Sequence, residues 1–337
     1  MKARFLSLVA SLGLGAALLL PTPLRAQQLI DSTTAIPVFG LAFMVEMYAQ
    51  DAHLYQKHGV NMKMLQLNGL GTINAVIAGS IDFGQPSGGS VTRAASRGQP
   101  LLAIVMLNER VPTEVVLRKD VADQLHFDPK ASLAQRAALL KGRTIAVDSI
   151  ASVIDAYVGL LAKQAGFTHD DVHVAPMEPP SMIAALKAKQ IDGFAMALPW
   201  TTTAEVEGTA VMLASGPAGD SIGLSPFAGS AVVAQPATCE KKPQLCEDVA
   251  QTFKEAIAEM HAHPDAAEAV IAKRFPTTDP KVLHAAFLAE LAMTPNPPVP
   301  SARALENADN YNVAAGLMKP EEKLSDYTKL FTDKFLK

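Results

Sequence analysis

Residues 60–90 alternate short apolar runs with glycine-rich breaks, a pattern that predicts strand, turn, helix, strand and turn. The apolar run over 60–67 ends at the glycine-rich segment 68–71, and Thr72 can cap a short helix that follows. A second strand and a second glycine-rich turn fill residues 81–90. Turns after neighbouring strands of an open α/β sheet are where small ligands bind, so this segment predicts one half of a ligand site.

The rest of the chain continues this alternation and then becomes helical. Further strands are predicted over 28–34, 101–107, 114–117, 144–147, 172–177, 191–197, 209–213 and 231–234. Helices are predicted over 41–57, 91–97, 133–140, 153–165, 181–189, 200–206, 245–261, 266–274, 281–291, 301–315 and 324–336. Strands that alternate with helices favour a mostly parallel sheet, and the composition shift near residue 108 favours a second domain built like the first. We expect the strand over 231–234 to return the chain to the first sheet.

The first 26 residues predict a secretory signal peptide with cleavage after Ala26, because a basic start precedes an apolar run and a small residue. This implies a periplasmic location. Removing the segment takes away three of the 29 basic residues and none of the 33 acidic ones, so the formal net charge changes from −4 to −7. An exported, acidic chain is a poor candidate for nucleic-acid binding.

The chain has two cysteines, Cys239 and Cys246, and their spacing in an exported protein favours a local disulfide over two free thiols. Two cysteines without a nearby histidine make a poor zinc site. His169 and His173 lie across a turn into a strand rather than on one helix face, so we predict no metal site. GxSxG, HExxH and P-loop patterns are absent from the sequence, and we predict no cofactor and no catalytic residue.

Candidate ligand contacts are the polar, glycine and aromatic residues at the predicted strand ends. They are Pro37, Val38, Phe39, Asn68, Gly69, Gly71, Thr72, Pro86, Ser87, Gly88, Asn108, Asp148, Ser149, Ser152, Glu178 and Trp200. Hydroxyl and backbone N–H groups there can donate hydrogen bonds, and Trp200 can stack on a planar ligand or a cation. The alternative for each residue is a turn or helix-cap role, and Thr72 and Ser152 would cap helices under either interpretation.

The charges at these strand ends disfavour a strongly anionic ligand. Asp148 and Glu178 would repel an anion in a closed cleft, and the nearest cation, Arg110, lies in the segment between the two predicted domains. Arg93 and Arg97 are interpreted as solvated surface. The sequence therefore favours a neutral, zwitterionic or donor-bearing solute.

An ordered series of short stretches runs through both predicted domains. They are LYQKHGV at 54–60, GSIDFG at 79–84, GQPL at 98–101, LKGRTIAV at 140–147, AALKAKQIDGF at 184–194 and LPW at 198–200. This series resembles the periplasmic solute-binding proteins of ABC transporters in the SsuA/THI5-like, or NMT1-like, class that handles nitrate, sulfonates, taurine and thiamine precursors. The resemblance covers roughly 27–336.

The resemblance implies an α/β, type II periplasmic-binding-protein fold with two doubly wound lobes, two crossing segments and a ligand cleft between the lobes. We expect lobe 1 to comprise 27–110 plus 228–337, including the C-terminal helices, and lobe 2 to comprise 111–227. The crossing segments are expected near 108–113 and 223–231, where they would form a hinge around the cleft.

The function that follows from this resemblance is that of a receptor for a small organic solute, which it delivers to an inner-membrane ABC permease. The solute classes are nitrogenous aromatic or pyrimidine-like compounds, sulfonates and carboxylates. We expect a monomer that is not an enzyme. The alternatives are a receptor that feeds a signalling protein, and an enzyme similar to the thiamine-pyrimidine synthase, whose cysteine-rich motif this chain lacks.

Overall fold

A computed structural model describes residues 29–99, 101–150 and 152–337, with only the backbone described at residues 69 and 70. The predicted signal peptide and its cleavage point lie outside the described residues. The strands are β1 (Ile30–Ile36), β2 (Val60–Gln66), β3 (Phe83–Gly84), β4 (Leu102–Asn108), β5 (Glu114–Arg118), β6 (Thr144–Val147), β7 (His173–Pro176), β8 (Gly193–Met196), β9 (Ala210–Ser215) and β10 (Ser230–Ala234).

The helices surround these strands. They are α1 (Met44–Asp51), α2 (Leu54–Lys57), α3 (Gly69–Ile77), α4 (Gly88–Ser96), α5 (Lys119–Gln124), α6 (Leu133–Ala137), α7 (Val153–Gln164), α8 (Pro179–Lys187), α9 (Trp200–Val206), α10 (Pro236–Lys241), α11 (Pro243–Ala262), α12 (Pro264–Ala272), α13 (Pro280–Met293) and α14 (Ala302–Ala314). In the described part of the chain, no helix is long and apolar enough to cross a membrane.

The described strands form two five-stranded sheets, in the orders β2-β1-β3-β10-β4 and β7-β6-β8-β5-β9. In the first sheet β1 is parallel to β2 and β3, while β10 is antiparallel to β3 and β4. In the second sheet β6 is parallel to β7 and β8, while β5 is antiparallel to β8 and β9. The predicted α/β fold with two doubly wound halves is therefore confirmed, and each half has one antiparallel strand in an otherwise parallel sheet.

The described chain passes between the sheets twice. It leaves the first sheet after β4 through residues 109–113, and it returns after β9 through residues 216–229. The strand predicted over 231–234 does return the chain to the first sheet, as β10. The lobe boundaries at residues 110 and 228 stay a prediction, although both fall within or beside these crossings.

Contacts of α14 join the two halves and support the second crossing. The Tyr311 hydroxyl on α14 donates to the backbone oxygen of Val153 at the start of α7. The Tyr311 ring also packs edge-on against Phe227, with centroids 5.6 Å apart. Because α14 packs on α4 as well, this helix contacts both halves of the molecule.

The single helix predicted over 41–57 is wrong in one respect, because it is broken. A 3-10 turn over Leu41–Phe43 precedes α1, and α2 begins only after His53, whose φ of 57° is left-handed. A residue in that region cannot continue a right-handed helix, so the chain changes direction there.

The closing helix predicted over 324–336 is also wrong. The structure has short 3-10 turns at Pro320–Glu322 and Thr328–Leu330, followed by an extended segment. Phe331 forms a parallel bridge with Ala103, and the Thr332 N–H donates to the Ala103 oxygen at 3.0 Å. Since β4 is an edge strand with unpaired backbone groups, pairing with it competes successfully with helix formation.

The disulfide joins Cys239 to Cys246 across the junction of α10 and α11, with Cα atoms 5.6 Å apart. Both cysteines are buried in the core of the first half, where α11 packs against α1 and α2. The bridge therefore fixes a local corner and spans few residues.

Candidate ligand site

A cavity of about 280 Å³ lies where several strands of the first sheet end. β1, β3 and β4 run parallel and stop at this edge, and the antiparallel β10 begins there. The cavity is lined by Pro37, Ala42, Phe43, Gln85, Pro86, Ser87, Ser90, Asn108, Pro112, Gly229 and Ser230. Because Pro112 and Gly229 belong to the two crossings, the cavity lies beside the connection between the halves, which is the usual place for a small-molecule site.

Four of the residues predicted to contact ligand line this cavity: Pro37, Pro86, Ser87 and Asn108. The Asn108 side chain is buried and already bonded, since its Oδ1 accepts from the Arg110 N–H at 2.9 Å. Asn108 therefore shapes the start of the crossing and presents its surface, rather than a free acceptor, to the cavity.

The start of α4 supplies hydroxyl groups to the cavity wall. Ser87 caps the helix, because its Oγ accepts from the Ser90 N–H at 3.3 Å. Ser90 Oγ accepts from the Ser87 hydroxyl at 2.9 Å and from Arg93 Nη2 at 3.0 Å. Arg93 is partly buried and also donates to Asn312, so its interpretation as solvated surface is wrong. A positive charge therefore lies directly behind one cavity residue.

Gly88 is part of the framework under the site. Its N–H donates to the Ala228 oxygen at 3.1 Å, and a Cβ there would lie 2.3 Å from the Ala228 Cβ. No side chain fits in that space, which explains the glycine and places its N–H on the protein backbone instead of a ligand.

The prediction that Thr72 caps the helix after the first glycine-rich turn is wrong. The cap is Asn68, whose Oδ1 accepts from the Gly71 N–H at 2.7 Å, and α3 begins at Gly69. Thr72 is fully buried, and its hydroxyl donates to the Leu67 oxygen at 2.8 Å. The two glycines that predicted a turn therefore lie in the first turn of a helix.

Val38 and Phe39 follow β1 and are exposed, at 54% and 44% of their surface. The Phe39 ring lies 5.3 Å from the Phe275 ring, centroid to centroid. Apolar residues exposed beside a cavity are available to a ligand or to the facing lobe.

The predicted residues of the second half do not line this cavity. Asp148, Ser149 and Glu178 are exposed at the ends of β6 and β7. Ser152 caps α7 by accepting from the Asp155 N–H at 3.1 Å, and its hydroxyl donates to Asp148. Trp200 is partly buried and packs on the core of the second half at the start of α9. The structure thus brings together four of the predicted residues, all in the first half, and leaves the predicted residues of the second half separate from them.

Sequence reasoning missed a buried polar network behind the cavity. Glu46 on α1 is fully buried and accepts three hydrogen bonds: from Tyr55 at 2.7 Å, Gln85 at 2.8 Å and Gln50 at 2.9 Å. Burial raises the pKa of Glu46 from 4.5 to about 7, although the three donors oppose this effect. Glu46 was assigned to a helix and Gln85 to a turn, and neither pattern signals that the two side chains meet.

A second group of carboxylates lies where α13 meets α9. Glu114 on β5 accepts from the Ser215 hydroxyl at 2.6 Å and from the Thr201 hydroxyl, and burial raises its pKa. Burial, together with the charge of Glu114, raises the pKa of Glu290 on α13 from 4.5 to about 8. Glu290 takes up a proton in preference to keeping a second buried charge near Glu114.

A larger cavity, of about 530 Å³, lies at the opposite edge of the second sheet and is lined by residues such as Lys119, Phe127 and Val211. β5 ends and β9 begins at that edge, where the parallel strands β6 and β8 start. It therefore lacks the strand-end geometry of a ligand site in this fold class. Within the described residues, no group of three or more His, Cys, Asp or Glu side chains could hold a metal ion.

A family model described as NMT1/THI5 like matches residues 42–267. The chain belongs to the NMT1/THI5-like family. The matched range includes both crossings and every described strand from β2 to β10, so the predicted resemblance is confirmed.

Similarity to curated proteins covers only part of the chain. A Brucella abortus protein, named as a candidate binding protein, is 31% identical over 147 residues, which are 43% of this chain and 40% of that protein. The chain thus matches less than half of the length of this relative.

Two solved structures share the fold of this NMT1/THI5-like protein. The alkanesulfonate-binding protein SsuA from Xanthomonas axonopodis pv. citri, bound to MOPS, is 18% identical with a TM-score of 0.63, covering 87% of this chain and 96% of that chain. The desulfurization enzyme DSZB is 16% identical with a TM-score of 0.61, covering 91% and 97%. One fold therefore serves both a binding protein and an enzyme, and the site must decide between them.

Proposed function

We propose that this protein is a periplasmic receptor that captures a small organic solute between its two halves and delivers it to an ABC permease. The observation that carries the proposal is the cavity at the strand ends of the first sheet, beside both crossings. Membership of the NMT1/THI5-like family and the shared fold of a sulfonate-binding protein support it.

Closure of the second half would complete the site. Residues 109–113 and 216–229 are held side by side, since the Phe227 N–H donates to the Glu109 oxygen at 2.8 Å and the Gly229 N–H donates to the Asn108 oxygen at 2.9 Å. Paired crossings of this kind allow the halves to rotate about one hinge. In this arrangement Ser149, Ser152 and Trp200 would meet the ligand from the second half, and the ligand would stabilise the closed form.

The chemistry of the cavity favours a neutral, zwitterionic or donor-bearing solute, such as a nitrogenous aromatic or pyrimidine-like compound. Phe43, Pro37 and Pro86 provide apolar walls, and the Ser87 and Ser90 hydroxyls provide polar contacts. Sulfonates and carboxylates are the second class, and Arg93 behind Ser90 is the observation that favours them.

Two other functions remain to be distinguished by experiment. A receptor that feeds a signalling protein would bind the same solute but would act without a permease. An enzyme would convert its ligand. The architecture is compatible with catalysis, since a desulfurization enzyme shares this fold.

Native mass spectrometry of the exported chain, purified without refolding, tests the proposal. We expect one small molecule to co-purify at one copy per chain, and titration of the stripped protein with it to change the fluorescence of Trp200, the only tryptophan in the sequence. N-acetyltryptophanamide with the same solute is the control for direct quenching. A chemically altered solute after incubation would identify an enzyme, and the absence of any bound or bindable solute would overturn the receptor.

A further inference from the structure

The side-chain amide of Gln85, at the cavity, has one polar atom that the hydrogen bonds of the described residues do not satisfy. Gln85 is fully buried and lines the cavity, and its Nε2 donates to Glu46 Oε2 at 2.8 Å. Its Oε1 is buried and has no hydrogen-bond partner among the described residues. A buried acceptor without a partner is uncommon in folded proteins, and each one needs an explanation, such as a bond to a water molecule or to a ligand.

The orientation of this amide is set by Glu46. Above the pKa of Glu46, of about 7, its carboxylate only accepts hydrogen bonds, so the Gln85 nitrogen must face it and the oxygen must occupy the other branch of the amide. Tyr55 donates to the same carboxylate oxygen at 2.7 Å, which holds Glu46 in place. The wall of the cavity therefore holds a glutamine amide in a fixed orientation with its oxygen buried, which a flexible glutamine on a surface would not provide.

We propose that Gln85 is a specificity-determining residue whose amide oxygen accepts a hydrogen bond from an N–H or O–H group of the captured solute. This inference rests on the proposed receptor function and narrows its ligand to donor-bearing solutes, such as amines, primary amides and alcohols. A solute without a donor at that point would leave the oxygen buried and unpaired, which is the arrangement that discriminates most strongly between otherwise similar ligands.

The chain offers a matched control. Gln50 also donates its Nε2 to Glu46, at 2.9 Å, but it bonds the other carboxylate oxygen, Oε1, and it does not line the cavity. Gln50→Met and Gln85→Met each remove one donor from Glu46 and keep the length of the side chain. Both variants should lower the stability of the protein, whereas only Gln85→Met should change its affinity for solutes.

The experiment measures binding by thermal shift and calorimetry at pH 8. The ligands are pairs of similar compounds, one of which carries a hydrogen-bond donor that the other lacks. Pairs include 4-aminopyrimidine with 4-methylpyrimidine, benzamide with N,N-dimethylbenzamide, and taurine with ethanesulfonate, together with any co-purified solute. We expect the binders to carry a donor, and their affinity to fall roughly 10- to 100-fold in Gln85→Met while staying within about 2-fold in Gln50→Met.

The outcomes separate this inference from the receptor function. Two results would overturn the role of Gln85 and keep the receptor. One is a compound without the donor that binds the wild-type protein as tightly as its donor-bearing partner. The other is an unchanged affinity in Gln85→Met. If Gln85→Met does not fold, the preference of the wild-type protein within each matched pair decides the question. The absence of any binder, with nothing co-purified, would overturn the receptor and this inference together.

Discussion

The two halves of the molecule share one strand order but present different surfaces at the ends of their strands. After β3 in the first half, Gln85 and Pro86 are buried and line a cavity. After β8, the strand in the equivalent position of the second half, Ala197, Leu198 and Pro199 are partly buried and do not line this cavity. The comparison teaches that the topology provides the place for a site, while the residues after each strand decide whether that place is already formed.

The difference also assigns separate tasks to the halves. The first half holds preformed polar groups, because Glu46, which also accepts from Tyr55, fixes Gln85 in the cavity wall. The second half offers short polar side chains and apolar surface that a closing motion could bring over the ligand. Substitutions at equivalent structural features should therefore have different effects in the two halves.

The largest effect is expected from Gly88→Ala in the first half. Its Cβ would lie 2.4 Å from the Ala228 backbone oxygen, which cannot move without displacing the start of β10. We expect the free energy of unfolding to fall by about 3 kcal/mol, measured by urea denaturation, and ligand binding to be lost.

Gly159→Ala in the second half is the matched control for this substitution. Its Cβ would lie 3.2 Å from Cδ2 of His169, a side chain that can shift. Alanine is also the better helix former, so we expect this variant to stay within about 1 kcal/mol of wild type. Equal losses in the free energy of unfolding of both variants would show that the contact of Gly88 with Ala228 does not cause the effect.

An intermediate effect is expected from Glu290→Gln, at the contact between the halves. The pKa of Glu290 is raised from 4.5 to about 8, so the folded protein holds a proton that the unfolded chain releases. The free energy of unfolding therefore falls, through this group, as the pH rises from about 4.5 to 8. We expect Glu290→Gln to be more stable than wild type by about 1–3 kcal/mol at pH 9, and to differ little at pH 5.

Urea denaturation between pH 5 and 9 measures this dependence, with Glu321→Gln as the control. Glu321 is exposed, so its substitution should leave the pH profile of stability unchanged. A Glu290→Gln profile that parallels wild type would mean that the Glu290 carboxyl is not the group that binds the proton.

The smallest effects are expected from the two helix caps, Asn68 in the first half and Ser152 in the second. Asn68→Ala and Ser152→Ala each remove one hydrogen bond to a helix N–H, so each should lower the free energy of unfolding by about 1 kcal/mol. If the second half closes over the ligand, Ser152→Ala should also weaken binding. Unchanged affinity in Ser152→Ala would restrict this serine to its role as a cap.

Much of the fold was predictable because its signals are local. The strand predicted over 144–147 matches β6, and Ser152 was recognised as the cap of α7, since both depend on neighbouring residue types. The predicted helix over 324–336 failed because the free edge of β4, more than 200 residues earlier, captures that segment. An amphipathic pattern cannot report such a competitor.

The site was less predictable than the fold for a related reason. Pro37, Pro86, Ser87 and Asn108 were found because they follow strands, which the sequence reveals. Gln85 was missed, although it lies in the same turn, because its importance depends on a carboxylate 39 residues away on another helix. Burial of a polar side chain is a property of the packed molecule, and no local pattern predicts it.

The position of β10 has a consequence for how the protein is made. Residues 114–215 contain every described strand of the second sheet, but the first sheet needs β10 between β3 and β4. A chain synthesised from its amino end can thus complete the later half while the earlier half still has a gap. Until residue 234 has emerged, β3 and β4 each keep an open edge, so a stalled or truncated product is the form most exposed to aggregation and proteolysis.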